Sequence, residues 1–220
     1  MCIHYRIKPT AKDWSKEDMG SLPGLTMPTE MPVHTEHMYP KYLAPVIVQR
    51  AGVRTLEAMN WGVVRFIGNG KTKPVTNARN DKLLSRTWKT CADQRRCLIP
   101  ANGYYEPGLG PTGARGEILV TVKDRPFFLM AGLWENGTFT LVTTEPNELV
   151  RTYHDRMPVV LDESEVEAWL GDEPLPENRL AELCRGLPSE ALLHETIPPR
   201  LKITRLDPKS EPPDAQPSLF

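Results

Sequence analysis

The sequence predicts a single α+β domain, a mixed, barrel-like β-sheet core flanked by a few helices. Three observations predict it. Short apolar runs of strand length recur between turn residues, helical periodicity is confined to three stretches, and strands follow strands instead of alternating with helices. A chain of 220 residues, 40% of them hydrophobic, is long enough to bury one sizeable core.

Taken in order, Ser21 to Pro45 is rich in proline and methionine and reads as an irregular, proline-stiffened segment over the body. The runs "APVIVQ", "WGVVRF", "RCLIP", "EILVTV", "FFLMAGLW" and "TFTLVTT" have the length and β-branched content of strands. Asn136-Gly137 between the last two is a hairpin turn signal. Helical spacing is found in "NDKLLSRTWKTCA", in "DESEVEAWLG" and in "PENRLAELCRGLP". The second has Asp162 as N-cap, Glu165 three residues on and Gly171 as its stop, and the third has Pro176 in its first turn and Pro188 closing it. No internal repeat or glycine-rich phosphate loop is visible. Residues 1–205 are expected to form the domain, and residues 206–220, rich in Pro, Ser and acid, a disordered tail with an apolar tip.

The start of the chain lacks a basic segment followed by an apolar one, and no stretch approaches the roughly 20 apolar residues of a membrane span. A cytosolic protein is therefore expected. Cys2, Cys91, Cys97 and Cys184 are expected as free thiols, their spacing does not suit a zinc site, and no metal or organic cofactor is expected. Net charge is −1, but the charges are segregated. Arg79, Lys82, Arg86, Lys89, Arg95 and Arg96 stand against only Asp81 and Asp93, while Asp162 to Asp172 is acidic. Such a basic run is either a solvated face or a phosphate-binding one.

Cys2 has a distinctive chemistry open to it. Methionine aminopeptidases remove Met1 ahead of a small residue, and the product would carry an α-amine and a thiol on adjacent carbons. With an α-amino pKa of about 7.7–8.0, part of that amine is neutral at pH 7. It adds to an aldehyde and loses water to give an imine, and the thiolate then closes a five-membered thiazolidine. The plain alternative is a small buried hydrophobe. Asn77 and Arg79 in "PVTNARND" are candidates for a cap and a surface charge. Glu106 in "IPANGYYEPG" is either solvent-facing or buried with a raised pKa suited to acid–base work. In "TYHDRMPVVL", His154, Asp155 and Arg156 form either a loop ion pair or a functional group of residues.

The combination of "MC" at the start, "NARND", "RCLIPANGYYEP" and "YHDRMPVVL", in this order over about residues 2–205, resembles the SOS response-associated peptidase family, whose domain is called SRAP. The resemblance implies a domain that senses abasic sites in single-stranded DNA and links Cys2 to the ring-opened sugar through a thiazolidine, after autoproteolytic loss of Met1. It implies that Asn77 bonds the reacting sugar or the cysteine backbone, that Glu106 donates and accepts protons, and that His154 assists ring opening or proton transfer. Arg79 and the basic run then read as a phosphate groove. Trp61 resembles a family tryptophan and Pro40 a family proline that lies against bases beside the lesion, although Trp61 also suits a core. Where the family reads Cys-Gly-Arg, this chain has Cys2-Ile3-His4-Tyr5-Arg6, which leaves His4 or Arg6 to replace a phosphate contact. The C-terminal "QPSLF" is similar to peptides that bind the bacterial sliding clamp, with Gln216, Leu219 and Phe220 as anchors. A monomer is expected. Rival readings are an N-terminal-nucleophile amidohydrolase and a noncatalytic DNA or clamp adaptor.

Overall fold

The structure is a computed structural model that describes residues 2–7, 24–26, 35–109 and 115–197. The expected tail, with Gln216, Leu219 and Phe220, lies outside the described residues, as does Met1. The first half of the chain forms β1 (Tyr5–Arg6), β2 (Leu25–Thr26), β3 (His37–Met38), β4 (Leu43–Arg50), β5 (Val53–Trp61), β6 (Val63–Gly68), β7 (Lys71–Val75), β8 (Asn77–Arg79) and helix α1 (Lys89–Gln94). The second half supplies β9 (Arg96–Ala101), β10 (Gly103–Leu109), β11 (Arg115–Val122), β12 (Phe128–Glu135) and β13 (Thr138–Thr144). After it come α2 (Glu148–Arg151), β14 (Met157–Pro158), β15 (Val160–Leu161), α3 (Glu163–Leu170), α4 (Glu177–Leu183) and β16 (Leu192–Ile197).

The larger sheet follows the order β14-β13-β12-β9-β4-β5-β2, and β5 also pairs in parallel with β13, Trp61 opposite Phe139. The pairings thus run in a ring, which gives the sheet its barrel-like form. Ile47, Trp61, Leu98, Ile99 and Phe139 are fully buried in its core. A second sheet has the order β16-β11-β10-β1-β3. Here the two residues of β1 are held on both sides, Tyr5 facing Tyr104 of β10 and Met38 of β3. The chain start is thereby an inner strand, and this carries Cys2 into the interior.

The turn at Asn136-Gly137 forms as expected, with φ of 50° and 69°. The capping box on α3 also forms, Asp162 and Glu165 each bonding the other's backbone N–H. Three readings need correction. "NDKLLSRTWKTCA" is not one helix but a 3₁₀ turn at Asn80–Lys82 followed by α1. Its start is held by tertiary bonds instead: Asn80 donates to Thr144 (3.1 Å) and accepts from Arg156 (2.7 Å). "WGVVRF" is broken at Gly62, whose φ is 130° and where a Cβ would stand 2.9 Å from Pro74 Cβ, so β5 ends there and a separate β6–β7 hairpin begins. Pro176 is the N-cap of α4, one position before its first turn. Strands β5 and β16 escape the sequence reading because charged and polar residues interrupt them; in β5, Arg54 and Glu57 hide a strand whose Leu56, Met59 and Trp61 are buried.

Candidate active site

Cys2 is buried, and its thiol donates to the His4 carbonyl at 3.4 Å. The same carbonyl accepts from the Tyr105 amide of β10, so the strand that fixes Cys2 also carries Glu106. Asn77, also buried, donates from Nδ2 to the Cys2 carbonyl at 2.9 Å and to Thr76 Oγ1 at 3.0 Å. The helix-cap reading of Asn77 is thus replaced: it sits in β8, aligned by the parallel pairing with Leu141 of β13. The β6–β7 hairpin leaves the core after Trp61 and returns two residues before Asn77, so the bend at Gly62 sets where Asn77 arrives.

Glu106 is almost wholly buried, and burial raises its carboxyl pKa from 4.5 to about 7, with Asp155 adding to the rise and the amino-terminal charge opposing it. Burial pushes the Cys2 thiol far up as well, and the neighbouring Glu106 carboxyl pushes the same way, so the thiol keeps its proton until a base removes it. His154 lies in the loop after α2. Its Nδ1 is 3.0 Å from the Arg156 amide and 2.7 Å from Asp155 Oδ1, partners that ask for opposite protonation states. Burial, then the amino-terminal charge, lowers the His154 pKa, while Asp155 is largely solvated. The neutral ring is therefore favoured, with Nδ1 accepting from the amide and Nε2 holding the proton. Cys2, Asn77, Glu106 and the His154-Asp155 loop come together from four separate parts of the chain.

The other expected residues are placed differently. Trp61 is a core residue, 1% exposed, with Nε1 donating to Thr76 O (2.9 Å) and its ring stacked on Phe139 at 6.2 Å. It presents no face for stacking on a base. Pro40 is half-buried in the turn whose next residue, Lys41, donates its amide to Trp61 O (2.7 Å). Arg79 is half-exposed and forms a two-bond pair with Asp81 (2.9 and 3.0 Å). The basic run is not one surface: Arg95 pairs with Glu135, and Arg96 is buried among backbone carbonyls. His4 is buried between the rings of Tyr105 (3.8 Å) and Tyr39 (4.4 Å), with Nδ1 on Glu117 and Nε2 on His37, both at 2.9 Å. With both nitrogens engaged, His4 cannot replace a phosphate-binding arginine. Arg6 lines a groove of about 580 Å³ with Glu36, Asn102, Thr121 and Arg125, which includes none of Cys2, Asn77, Glu106 or His154.

Sequence reasoning missed Tyr5 and Tyr104, whose hydroxyls are buried around Cys2 without a hydrogen-bond partner among the described residues. Both look like ordinary strand aromatics, and only their pairing across β1 and β10 draws attention to them. Among the described residues no group of three His, Cys, Asp or Glu side chains is arranged to hold a metal ion, and no helix is long and apolar enough to cross a membrane.

A family model described as SOS response associated peptidase (SRAP) matches residues 1–202. The abasic site processing protein YoqW of Bacillus subtilis is 33% identical over 104 residues, which are 43% of this chain and 46% of that protein. The abasic site processing protein HMCES of Gallus gallus is 26% identical over 189 residues, 66% of this chain and 56% of that one. These matches span about half the length of each relative. A crystal structure of a protein from Bordetella bronchiseptica superposes with a TM-score of 0.70 at 22% identity, covering 90% of this chain and all of that one. One from Bacteroides thetaiotaomicron gives 0.70 at 21%, covering 90% and 92%.

Proposed function

The chain belongs to the SOS response associated peptidase family, and from that premise we propose that it processes abasic sites in single-stranded DNA by forming a thiazolidine with Cys2 after Met1 is removed. The observation that carries this reading is the buried Glu106 carboxyl, half-protonated at about pH 7 and electrostatically coupled to the Cys2 thiol. The names of the relatives, abasic site processing proteins, support the substrate.

The freed amine of Cys2 attacks the aldehyde carbon of the ring-opened sugar. A proton passes from the added amine to the oxygen; Glu106, as the acid, then gives its proton to the departing hydroxyl, and water leaves to form the protonated imine, the iminium. The resulting carboxylate then takes the proton of the buried thiol, and sulfur bonds to the iminium carbon as the π pair returns to nitrogen. A carboxyl poised near neutrality performs both transfers. Asn77 holds the Cys2 carbonyl and so fixes the amine relative to Glu106. Its Oδ1, buried without a partner among the described residues, is available to accept from the amine or a sugar hydroxyl. His154 offers Nε2–H to the sugar during ring opening. Arg79 and Pro40 are assigned to the DNA path, and binding of the sliding clamp by residues 216–220 is a separate proposal, tested by clamp affinity after their deletion.

Mature protein incubated with single-stranded DNA bearing one abasic site should give a heat-stable shifted band on a denaturing gel. The band should be absent with intact DNA and with Cys2→Ala. Intact mass should show Met1 missing. No band at any pH would sink the reading; amide turnover without a band would instead indicate an amidohydrolase, and noncovalent binding alone an adaptor.

A further inference from the structure

Buried polar side-chain atoms are almost always hydrogen-bonded, and an exception calls for a cause such as ordered water or a role in chemistry. Three exceptions surround Cys2: the Tyr5 hydroxyl, Asn77 Oδ1 and the Tyr104 hydroxyl have no hydrogen-bond partner among the described residues. Asn77 is accounted for by the site already described. The two tyrosines are not. Both are fully buried, and they stand opposite each other across the β1–β10 pairing. Side chains alternate along β10, so Tyr104 and Glu106 share one face while Tyr105 stacks on His4 on the other. Burial, then the nearby Glu106 and Cys2, keep the Tyr104 phenol protonated; burial, then Cys2 and Cys97, do the same for Tyr5. Both are therefore donors throughout the working pH range.

We propose that Tyr104, backed by Tyr5, holds an ordered water against the Glu106 carboxyl and is a positioning residue for the acid–base group of the site. A buried pair of phenols with no acceptor among the described residues is a polar lining that water satisfies with two or more bonds. A phenol reaching the carboxylate through one water stabilises its charged form. The other titratable groups around Glu106 are Cys2, Asp155 and the amino terminus; the Cys2 thiol is a neutral donor but is given to the His4 carbonyl, and neither of the others is a neutral hydroxyl donor. The role rests on the proposed function only in what the water then does. In reversal of the crosslink its oxygen bonds to the iminium carbon, the π pair returns to nitrogen, and the released proton passes to the Glu106 carboxylate.

The test needs no substrate. Protein labelled with ¹³C at glutamate carboxyls is titrated by NMR, with the Glu106 signal assigned by its loss in Glu106→Gln. Tyr104→Phe removes one oxygen and keeps the ring, and it should raise the proton affinity of Glu106 about tenfold, the scale of one pKa unit. Tyr5→Phe should move it the same way by less. An unmoved midpoint in folded Tyr104→Phe overturns the inference; if that variant does not fold, an unmoved midpoint in Tyr5→Phe does so. The pH–rate profile of crosslinking should shift in parallel. A moved midpoint in a protein that never crosslinks abasic DNA upholds the water site and rejects the proposed function, whereas crosslinking with an unmoved midpoint rejects the water site alone.

Discussion

Glu106 and Arg96 are both buried charged side chains, 1% and 5% exposed, and the protein treats them in opposite ways. Arg96 is surrounded by backbone carbonyls: those of Trp169, Ala92, Asp93, Gly171 and Glu173 all accept from it. Its charge is matched by fixed dipoles and it joins α1, β9 and the residues after α3. Glu106 has no such cage: burial, with Asp155 adding to it, raises its proton affinity against the opposing amino-terminal charge. Burial alone therefore does not mark a functional residue. What surrounds the charge decides whether it is an anchor or a group poised to exchange a proton.

The largest effects should come from breaking this contrast at Glu106. Glu106→Gln should slow crosslinking by about 10²–10⁴-fold, the usual worth of a positioned acid–base group. It should also stabilise the fold at high pH. Between pH 4.5 and about 7 the folded protein holds a proton that the unfolded chain has released, so stability falls as pH rises through that window. The variant escapes that loss, which amounts to about 3 kcal/mol above pH 7 and nothing below pH 4. Urea unfolding of both proteins at pH 4 and pH 8 measures the difference, and equal gains at both values would refute the raised carboxyl.

At the anchor the expectation reverses. Arg96→Met should cost about 3–5 kcal/mol by orphaning buried carbonyls. Crosslinking per folded molecule should be unchanged, as read from thermal melts alongside gel assays. Asn77→Ala lies between the two, since it holds Cys2 and also faces the reaction. A loss of about 1–2 kcal/mol in stability together with roughly tenfold slower crosslinking is expected. Asn77→Asp keeps an acceptor oxygen but loses the donor to the Cys2 carbonyl, so a rate above that of Asn77→Ala without regained stability would separate the two roles. The smallest change is expected for Arg79→Ala. Its exposed pair with Asp81 contributes little, within about 0.5 kcal/mol. If it meets a phosphate, the salt slope of single-stranded DNA binding should fall by roughly one.

Much of the candidate site was legible in the sequence because its groups are rare in their settings: a cysteine at position 2, and a glutamate within an otherwise largely apolar strand, which continues past it to Leu109. The capping box on α3 and the turn at Asn136-Gly137 were legible for a related reason, since each is complete within four residues. The basic run was not, because its members point in different directions once folded. Arg96 goes inward, Arg95 meets Glu135 from β12, and Arg79 turns back to Asp81. Trp61 could be read as core or as surface until its indole was found bonded to Thr76 and stacked on Phe139.

Sequence alone determined which reactive groups this protein owns, and the order of motifs that ties them to one family. Tertiary structure decided their states. The proton affinity of Glu106 depends on exclusion of water by residues far from it in the chain, and the reach of His4 on Glu117, His37 and two tyrosine rings from other strands. Solvation and hydrogen-bond satisfaction belong to a place in space, and residues acquire a place only when the strands that carry them are paired.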